Sequence, residues 1–109
     1  MVYTKVYTYW IYLNLNMQFI WDENKNELNI SKHGLSFEEA LTAWEDPFGF
    51  DLYDEKHSSP DEDRWFYFGR TKKGEIIRVV YTELPNDIYR VITAYSSITI
   101  ERIYHEQNE

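Results

Sequence analysis

Polar capping residues, a glycine and a proline from Asp22 to Pro47 predict two short helices, with the apolar pair Leu28 and Ile30 expected inside the first. Asp22 can accept the unpaired amide hydrogens of a first helical turn, and Gly34 can adopt the left-handed conformation that ends a helix. Ser36 begins the second helix, with Glu39 at the spacing of a capping box. Pro47 ends that helix because proline lacks an amide hydrogen. The apolar stripe of the second helix is Phe37, Ala40, Leu41 and Trp44.

The pattern after the second helix changes to short runs of aromatic and β-branched residues, which favour strands. A closing helix follows, with Ser96 or Ser97 as its cap and its end near Glu106. Short turns between the last three strands predict an antiparallel meander. The expected fold class is therefore α+β, with two N-terminal helices, a mostly antiparallel sheet of about four strands and a C-terminal helix. The predicted strands cover residues 48–53, 64–70, 76–81 and 88–95.

The first 16 residues form a segment of their own, with Lys5 as the only charge. They lack the apolar core and cleavage site of a signal peptide, and they are too short and polar to span a bilayer. We expect residues 1–16 to be an extension, either an edge strand or a poorly ordered segment, before a single domain at 17–109. The chain has no cysteine, so disulfides and thiolate metal sites are excluded, and we expect a cytoplasmic protein without a membrane partner.

A net charge of -8 argues against nucleic-acid binding by the molecule as a whole, because phosphate binding depends on cations. The charge is unevenly distributed, however, and residues 64–90 hold more basic than acidic side chains. The predicted sheet is therefore the basic part of the chain. Its cations are Arg64, Arg70, Lys72, Lys73, Arg78 and Arg90, against Glu75, Glu83 and Asp87.

Several short motifs occur together in one order along residues 17–106. Trp-Asp-Glu-Asn-Lys at 21–25 precedes Lys-His-Gly-Leu-Ser-Phe-Glu-Glu-Ala at 32–40 and Asp-Pro at 46–47. Later come Asp-Glu-Lys-His-Ser at 54–58, an aromatic strand ending in Gly-Arg-Thr at 69–71, Arg-Val-Ile-Thr-Ala at 90–94 and Glu-Arg at 101–102. This combination resembles the BrnT family, which are toxins of type II toxin–antitoxin systems.

The resemblance implies a RelE-like fold and an endoribonuclease that cuts RNA through its 2′-hydroxyl without metal or cofactor. It also implies a BrnA-like antitoxin that neutralises the toxin, with operator DNA bound only through the antitoxin. Cleavage of this kind needs a proton acceptor, cations for the charge on the phosphate, and a proton donor for the departing oxygen. The candidate catalytic residues are Arg64, Arg70, Arg90, His57 and Tyr95.

Each candidate also has an ordinary structural explanation. The arginines could form salt bridges with the acidic segments, and His57 could serve as a hydrogen-bonding residue of its loop. His33 is better explained by the end of the first helix, where a cation favours the carbonyl groups. Arg78 is a weaker candidate, since it has no clear counterpart in the family. The aromatic residues suit either packing or base stacking, and they are Trp65, Tyr67, Tyr81 and Tyr89.

One departure from the family pattern affects the expected activity. BrnT chains commonly carry a basic residue where this chain has Tyr95, Ser96 and Ser97, so we expect one phosphate contact to be missing. Tyrosine can still stack on a base or donate a proton. The alternative function is a non-catalytic subunit that binds an antitoxin through the same fold. A further alternative is an interaction protein that shares only the fold, since fold does not fix function.

Overall fold

The structure is a computed structural model that describes residues 5–10 and 16–109, with side chains described from residue 17 onward. This part of the chain holds six strands and three helices, with two strands first, then two helices, four strands and a last helix. The elements are β1 (Lys5–Trp10), β2 (Asn16–Trp21), α1 (Glu23–His33), α2 (Phe37–Leu41) with a 3-10 turn (Thr42–Glu45), β3 (Phe50–Tyr53), β4 (Arg64–Arg70), β5 (Ile76–Leu84), β6 (Ile88–Tyr95) and α3 (Ile98–Gln107).

The strands of this described part form one mixed sheet in the order β1-β2-β6-β5-β4-β3. Neighbouring strands are antiparallel except for β2 and β6, which run parallel. The predicted α+β class is confirmed, although the sheet is larger than the four strands expected. The added strands are β1, at the edge, and β2, next to it. The domain boundary after residue 16 stays a prediction, as does the RelE-like description of the fold.

The predicted helix caps are present. The Asn24 amide donates to Asp22 Oδ1 at 2.9 Å, and Gly34 has a φ of 67° and ends α1. The Glu39 amide donates to Ser36 Oγ at 3.0 Å, and Ser97 caps α3. The caps at Asp22, Ser36 and Ser97 satisfy amide groups that a helix leaves unpaired at its start, and the Gly34 amide donates to the Ile30 carbonyl at the end of α1.

Two element bounds differ from the prediction for local reasons. The strand predicted at 48–53 begins at Phe50, because Asp46 holds the preceding residues in a turn through the amides of Phe48 and Gly49. The strand predicted at 76–81 continues to Leu84, where a tight turn with left-handed Asn86 and Asp87 leads into β6. The strands predicted at 64–70 and 88–95 have the observed bounds.

The main core lies between α2, the turn before it and one face of the sheet. Phe19 and Trp21 of β2 are fully buried there, together with Phe37 of α2 and Val79 of β5. Leu28 and Ile30 of α1, expected inside from the sequence, are exposed, because α1 is held in place by buried asparagines. On the opposite face α3 packs over the end of the sheet where Phe68 and Ile76 lie, through Ile100 and Tyr104. The other end of that face is lined by side chains of β4, β5 and β6 and carries a pocket. We call this end the open face.

Asn29 of α1 fixes the helix against β6. Beyond the short pairing of β2 with residues 88–90 of β6, the buried Asn29 side chain takes the place of a neighbouring strand. Its Oδ1 accepts from the Ala94 amide at 3.1 Å, and its Nδ2 donates to the Ala94 carbonyl at 2.7 Å. Nδ2 also donates to the Leu35 carbonyl at 2.8 Å. Helix α1 therefore runs along the edge of the sheet, beside the open face.

No helix among residues 5–10 and 16–109 has the length and apolar character that crossing a lipid bilayer requires.

Candidate active site

A pocket of about 210 Å³ lies on the open face, between the loop that joins β3 to β4 and strands β4, β5 and β6. Its polar lining comes from three strands and the loop, so it forms only when the sheet is complete. Apolar and hydroxyl side chains form its floor. The polar residues are Asp54, His57, Arg64, Arg78 and Tyr95, and the floor is Phe66, Val80, Ile92 and Thr93.

Strand register brings these residues to one face. Arg78 of β5 lies opposite Phe68 on one side and Tyr95 on the other. Residues directly opposite each other in a sheet point to the same face. Arg64, Thr82 and Arg90 form a second such row across β4, β5 and β6. Arg78 of the first row and Arg64 and Arg90 of the second therefore point to the same face of the sheet.

A β-bulge makes this arrangement possible. Val80 pairs with Thr93 and Tyr81 pairs with Val91, which leaves Ile92 as an extra residue in β6. A bulge shifts the alternation of the residues that follow it by one position. Arg90 and Tyr95 are an odd number of positions apart and would otherwise point to opposite faces of the sheet. The bulge therefore brings Tyr95 to the face that carries Arg90.

Arg78 is the cation at the centre of the pocket. Its guanidinium lies 4.5 Å from the ring centre of Phe66 and 5.0 Å from that of Tyr95, and it donates a hydrogen bond to the Tyr95 hydroxyl. Arg78 Nε is buried and has no hydrogen-bond partner among the described residues. No described carboxylate forms a salt bridge with it. A partly desolvated guanidinium of this kind is suited to bind an anion.

His57 is oriented by a buried carboxylate. Its Nδ1 lies 2.9 Å from Asp54 Oδ2, and its backbone amide donates to Asp54 Oδ1 at 3.2 Å. An ionised carboxylate can only accept, so in a neutral ring Nδ1 carries the proton and Nε2 is left as the acceptor. Asp54 is buried, whereas the His57 side chain is 57% exposed. The pair can therefore offer a positioned proton acceptor to a molecule in the pocket.

Arg64 and Arg90 share one carboxylate at the edge of the pocket. Glu62 Oε1 accepts from Arg64 Nε at 2.9 Å, and Glu62 Oε2 accepts from Arg90 at 2.7 Å. Hydrogen bonds from Arg64 and then from Arg90 lower the pKa of Glu62 below its ordinary value. The salt bridges expected as the structural alternative are thus present for both arginines. A phosphate that reached them would compete with Glu62.

Arg70 lies apart from the other candidates. It is exposed at the opposite end of β4 from Arg64, about 20 Å away at the usual rise of a strand. Its guanidinium donates to the Gly74 carbonyl at 3.1 Å and lies 5.9 Å from the Tyr104 ring centre. It lines a different pocket, of about 470 Å³, with Phe48. The expectation that Arg70 joins the other arginines is therefore not met, because α3 packs over the end of that face where Phe68 and Ile76 lie.

The four aromatic residues that suited either packing or base stacking lie in different surroundings from Tyr95. Tyr67 stacks on Trp44 at 4.0 Å, and Tyr81 donates to Asp51 at 2.6 Å. Tyr89 and Trp65 pack against the same core, on the face that α1 and α2 cover. These rings are therefore packing residues.

Three residues of the site were missed or ranked low by the sequence. The sequence ranks Arg78 as a weaker candidate because it has no clear family counterpart, and it does not single out Asp54 or Glu62 as site residues. Asp54 and His57 are three residues apart in a loop, and this spacing could have predicted that the carboxylate orients the histidine ring. His33, assigned to the helix end, also stacks on Tyr95 with ring centres 5.2 Å apart. No group of described His, Asp and Glu side chains is arranged to hold a metal ion.

The fold and the site define a small α+β protein with a cationic pocket on an open sheet face, equipped with groups that can exchange protons. The chain belongs to the BrnT family, since the family described as ribonuclease toxin, BrnT, of type II toxin-antitoxin system matches residues 21–101. The resemblance seen in the sequence is thereby confirmed. The family makes this protein a ribonuclease toxin of a type II system, a class that acts with a cognate antitoxin.

Among solved structures, the chain is similar to the ribonuclease toxin BrnT of Brucella abortus. The identity is 28%, over 71% of this chain and 91% of that chain, with a TM-score of 0.47. No curated protein matches the chain.

Proposed function

We propose that this protein is a metal-independent endoribonuclease that cleaves RNA through attack by the 2′-hydroxyl group. The observation that carries the proposal is Arg78, a guanidinium with no carboxylate partner among the described residues, beside a histidine that Asp54 orients. A cation and a positioned base are the two elements that phosphodiester cleavage requires first. We further propose that the toxin acts in the cytoplasm.

Each of the polar groups in the pocket has one role in the proposed reaction. His57 Nε2 takes the proton of the 2′-hydroxyl, and the oxygen attacks the adjacent phosphorus. Arg78 and Arg64 stabilise the negative charge that builds on the phosphate oxygens. The bond from phosphorus to the 5′-oxygen breaks, and the Tyr95 hydroxyl donates its proton to that oxygen. The products are a 2′,3′-cyclic phosphate and a free 5′-hydroxyl.

A BrnA-like antitoxin is the proposed partner, and operator DNA is reached only through it. The open face offers Arg64, Arg78 and Arg90 to an acidic segment of such a protein, which could order on binding and cover the pocket. Inhibition would then follow from occupation of the site that the RNA needs.

Replacement of Arg78 by alanine tests the proposed reaction. We expect the rate of cleavage of a bulk RNA, measured with purified protein in EDTA, to fall about 10²- to 10³-fold, as for loss of one transition-state donor. Arg102→Ala is the matched control, since Arg102 lies on α3 and pairs at 3.8 Å with Glu106. Equal activities of the two variants would contradict the role of Arg78.

One observation favours the alternative of a non-catalytic subunit that binds an antitoxin. Glu62 occupies both Arg64 and Arg90, so part of the basic surface is already neutralised. The double variant Arg64→Ala/Arg90→Ala discriminates the two functions during expression in cells. Growth arrest that disappears in this variant supports the nuclease. A folded wild-type protein that leaves RNA intact supports the alternative.

A further inference from the structure

Helix α1 presents a strip of exposed basic residues beside the open face. Lys25 and Lys32 are two helical turns apart and therefore lie on one side of the helix, with Leu28 between them. Leu28 is 58% exposed, so its apolar side chain is accessible to a ligand in the groove. Asn29 lies on the same side and is bound to β6, so it holds this strip toward the sheet.

The strip lines a groove that continues into the candidate active site. The groove has a volume of about 210 Å³, and Lys25, Leu28 and Lys32 form its outer wall. Ile92 and Thr93 line both this groove and the pocket that contains Arg78. The two cavities therefore adjoin along β6.

A second connection runs through two rings. His33 lines the groove, Tyr95 lines the active-site pocket, and the two rings are stacked with an interplanar angle of 24°. A chain that leaves the pocket along β6 therefore passes an aromatic pair before it reaches the lysines.

The charges of the strip are available to a ligand. Among the described residues, neither Lys25 nor Lys32 is in a salt bridge. Lys72 and Lys73 differ, since Lys72 pairs with Glu45 at 3.4 Å and Lys73 pairs with Glu39 at 2.7 Å. In a chain with a net charge of -8, unpaired lysines along a continuous groove stand out.

We propose that this groove binds the nucleotide next to the scissile phosphate of a single-stranded RNA. The base lies against Leu28 and Ile92, and the flanking phosphates contact Lys25 and Lys32. Only an unstacked nucleotide can place its base in a groove of this size, and alternation of apolar and basic side chains matches the alternation of bases and phosphates. The inference rests on the proposed nuclease function for the position of the scissile phosphate.

RNA fits the groove better than an acidic protein segment does. The groove leads directly to the residues assigned to phosphodiester chemistry, because Ile92 and Thr93 line both cavities, and Leu28 and Ile92 give it an apolar surface for a base. An acidic peptide would also bind the cations, Arg78 included, but it would gain nothing from the proton acceptor at His57. Antitoxin binding is therefore kept as an outcome of the test.

The test compares two double variants that remove the same charge. Lys25→Ala/Lys32→Ala removes the unpaired lysines, and Lys72→Ala/Lys73→Ala removes the paired ones as the control. Binding is measured with a hexanucleotide RNA that carries a 2′-deoxy group at the cleavage position, over a range of salt concentrations. We expect the first variant to bind about tenfold more weakly at low salt, with a salt slope smaller by about 1.4, as for two lost single-strand phosphate contacts.

Cleavage supplies a second readout. The ratio of kcat/KM for a hexanucleotide to that for a dinucleotide should fall about tenfold in Lys25→Ala/Lys32→Ala, because only the longer substrate reaches the groove. The control variant should keep the wild-type ratio and salt slope.

The outcomes separate this inference from the nuclease proposal. Wild-type cleavage with equal binding by both double variants overturns the groove and leaves the nuclease standing. Selective loss of hexanucleotide binding supports the groove even if the wild-type protein cleaves no RNA, which would contradict the nuclease alone. Loss of antitoxin binding with unchanged RNA binding in the first variant would assign the groove to the protein partner and overturn the inference.

Discussion

Glu62 controls how much positive charge the open face offers. A single carboxylate bonds to Arg64 and Arg90, whereas Arg78 has no such partner among the described residues. The three arginines therefore differ in readiness for a phosphate, although all are strand residues of the same type. Arg78 can bind at once, and the other two must first release Glu62.

The substitution Glu62→Gln should strengthen RNA binding several-fold. It removes the competing negative charge and keeps a side chain of the same shape, so Arg64 and Arg90 become available to phosphate. The affinity for the uncleavable hexanucleotide measures the effect. Glu75→Gln is the control for net charge, since Glu75 is exposed in the turn before β5. A similar gain in both variants would show that only the overall charge matters.

The same substitution should change how stability depends on pH. The pKa of Glu62 is lowered in the folded protein, so its contribution is present above the ordinary glutamate pKa and is lost as pH falls through the lowered value. Because Glu62 is about one-third exposed, we expect it to contribute at most about 1 kcal/mol to the free energy of unfolding. Urea unfolding should find wild type more stable than Glu62→Gln at pH 7, with the difference disappearing toward pH 3. A constant difference would contradict the assignment.

At the scale of elements, helix α1 has two roles: one residue anchors it to β6, and others present exposed basic side chains. Asn29 is buried and completes the hydrogen bonding of β6, where no strand pairs with Ala94 on that side. Lys25 and Lys32 are exposed on the same flank. Asn29 thus determines where the basic strip lies, and in this way it positions the proposed RNA groove.

Loss of the Asn29 amide should destabilise the fold. Asn29→Ala leaves the Ala94 amide and carbonyl buried without partners, so the free energy of unfolding should fall by about 2–4 kcal/mol. Asn24→Ala, at an exposed position of the same helix, should change it by less than about 0.5 kcal/mol. Urea denaturation of both variants measures the difference. Equal stabilities would mean that α1 docks without this anchor.

At the scale of the whole molecule, charge is segregated. The chain has a net charge of -8, yet five of its eleven Lys and Arg residues lie around the open face and the groove beside it. The described molecule extends 39 × 31 × 30 Å, so its distant acids lie beyond the screening length of about 10 Å at 0.1 M salt. Local cations therefore decide binding, and the total charge affects mainly the approach of the RNA. The basic residues are Lys25, Lys32, Arg64, Arg78 and Arg90.

This segregation predicts an uncommon effect of salt on the kinetics of RNA binding. Salt screens both the long-range repulsion and the local attraction, so between 50 and 200 mM the association rate constant should change less than about twofold. The dissociation rate constant should rise several-fold over the same range. Stopped-flow fluorescence of a labelled, uncleavable RNA measures both. A steep fall in the association rate would instead indicate that a positive field steers the encounter.

Features set by neighbouring residues could be predicted. The caps at Asp22, Ser36 and Ser97, the left-handed Gly34 and the bounds of β4 and β6 depend on interactions within a few residues, and they are observed as expected. The α+β class followed from the same local patterns. Family membership followed from motifs that stand in a characteristic order.

The composition of the site depended on contacts between residues far apart in the chain. The bulge at Ile92 reverses the alternation in β6, so that Arg90 and Tyr95 share a face despite their odd spacing. Helix α3 covers the end of the same face where Phe68 and Ile76 lie, and it separates Arg70 from the other arginines. Counting residues along a single strand reveals neither effect, because register and packing arise only between strands and helices. Local sequence therefore decided which elements form, and the assembled sheet decided which of their side chains meet.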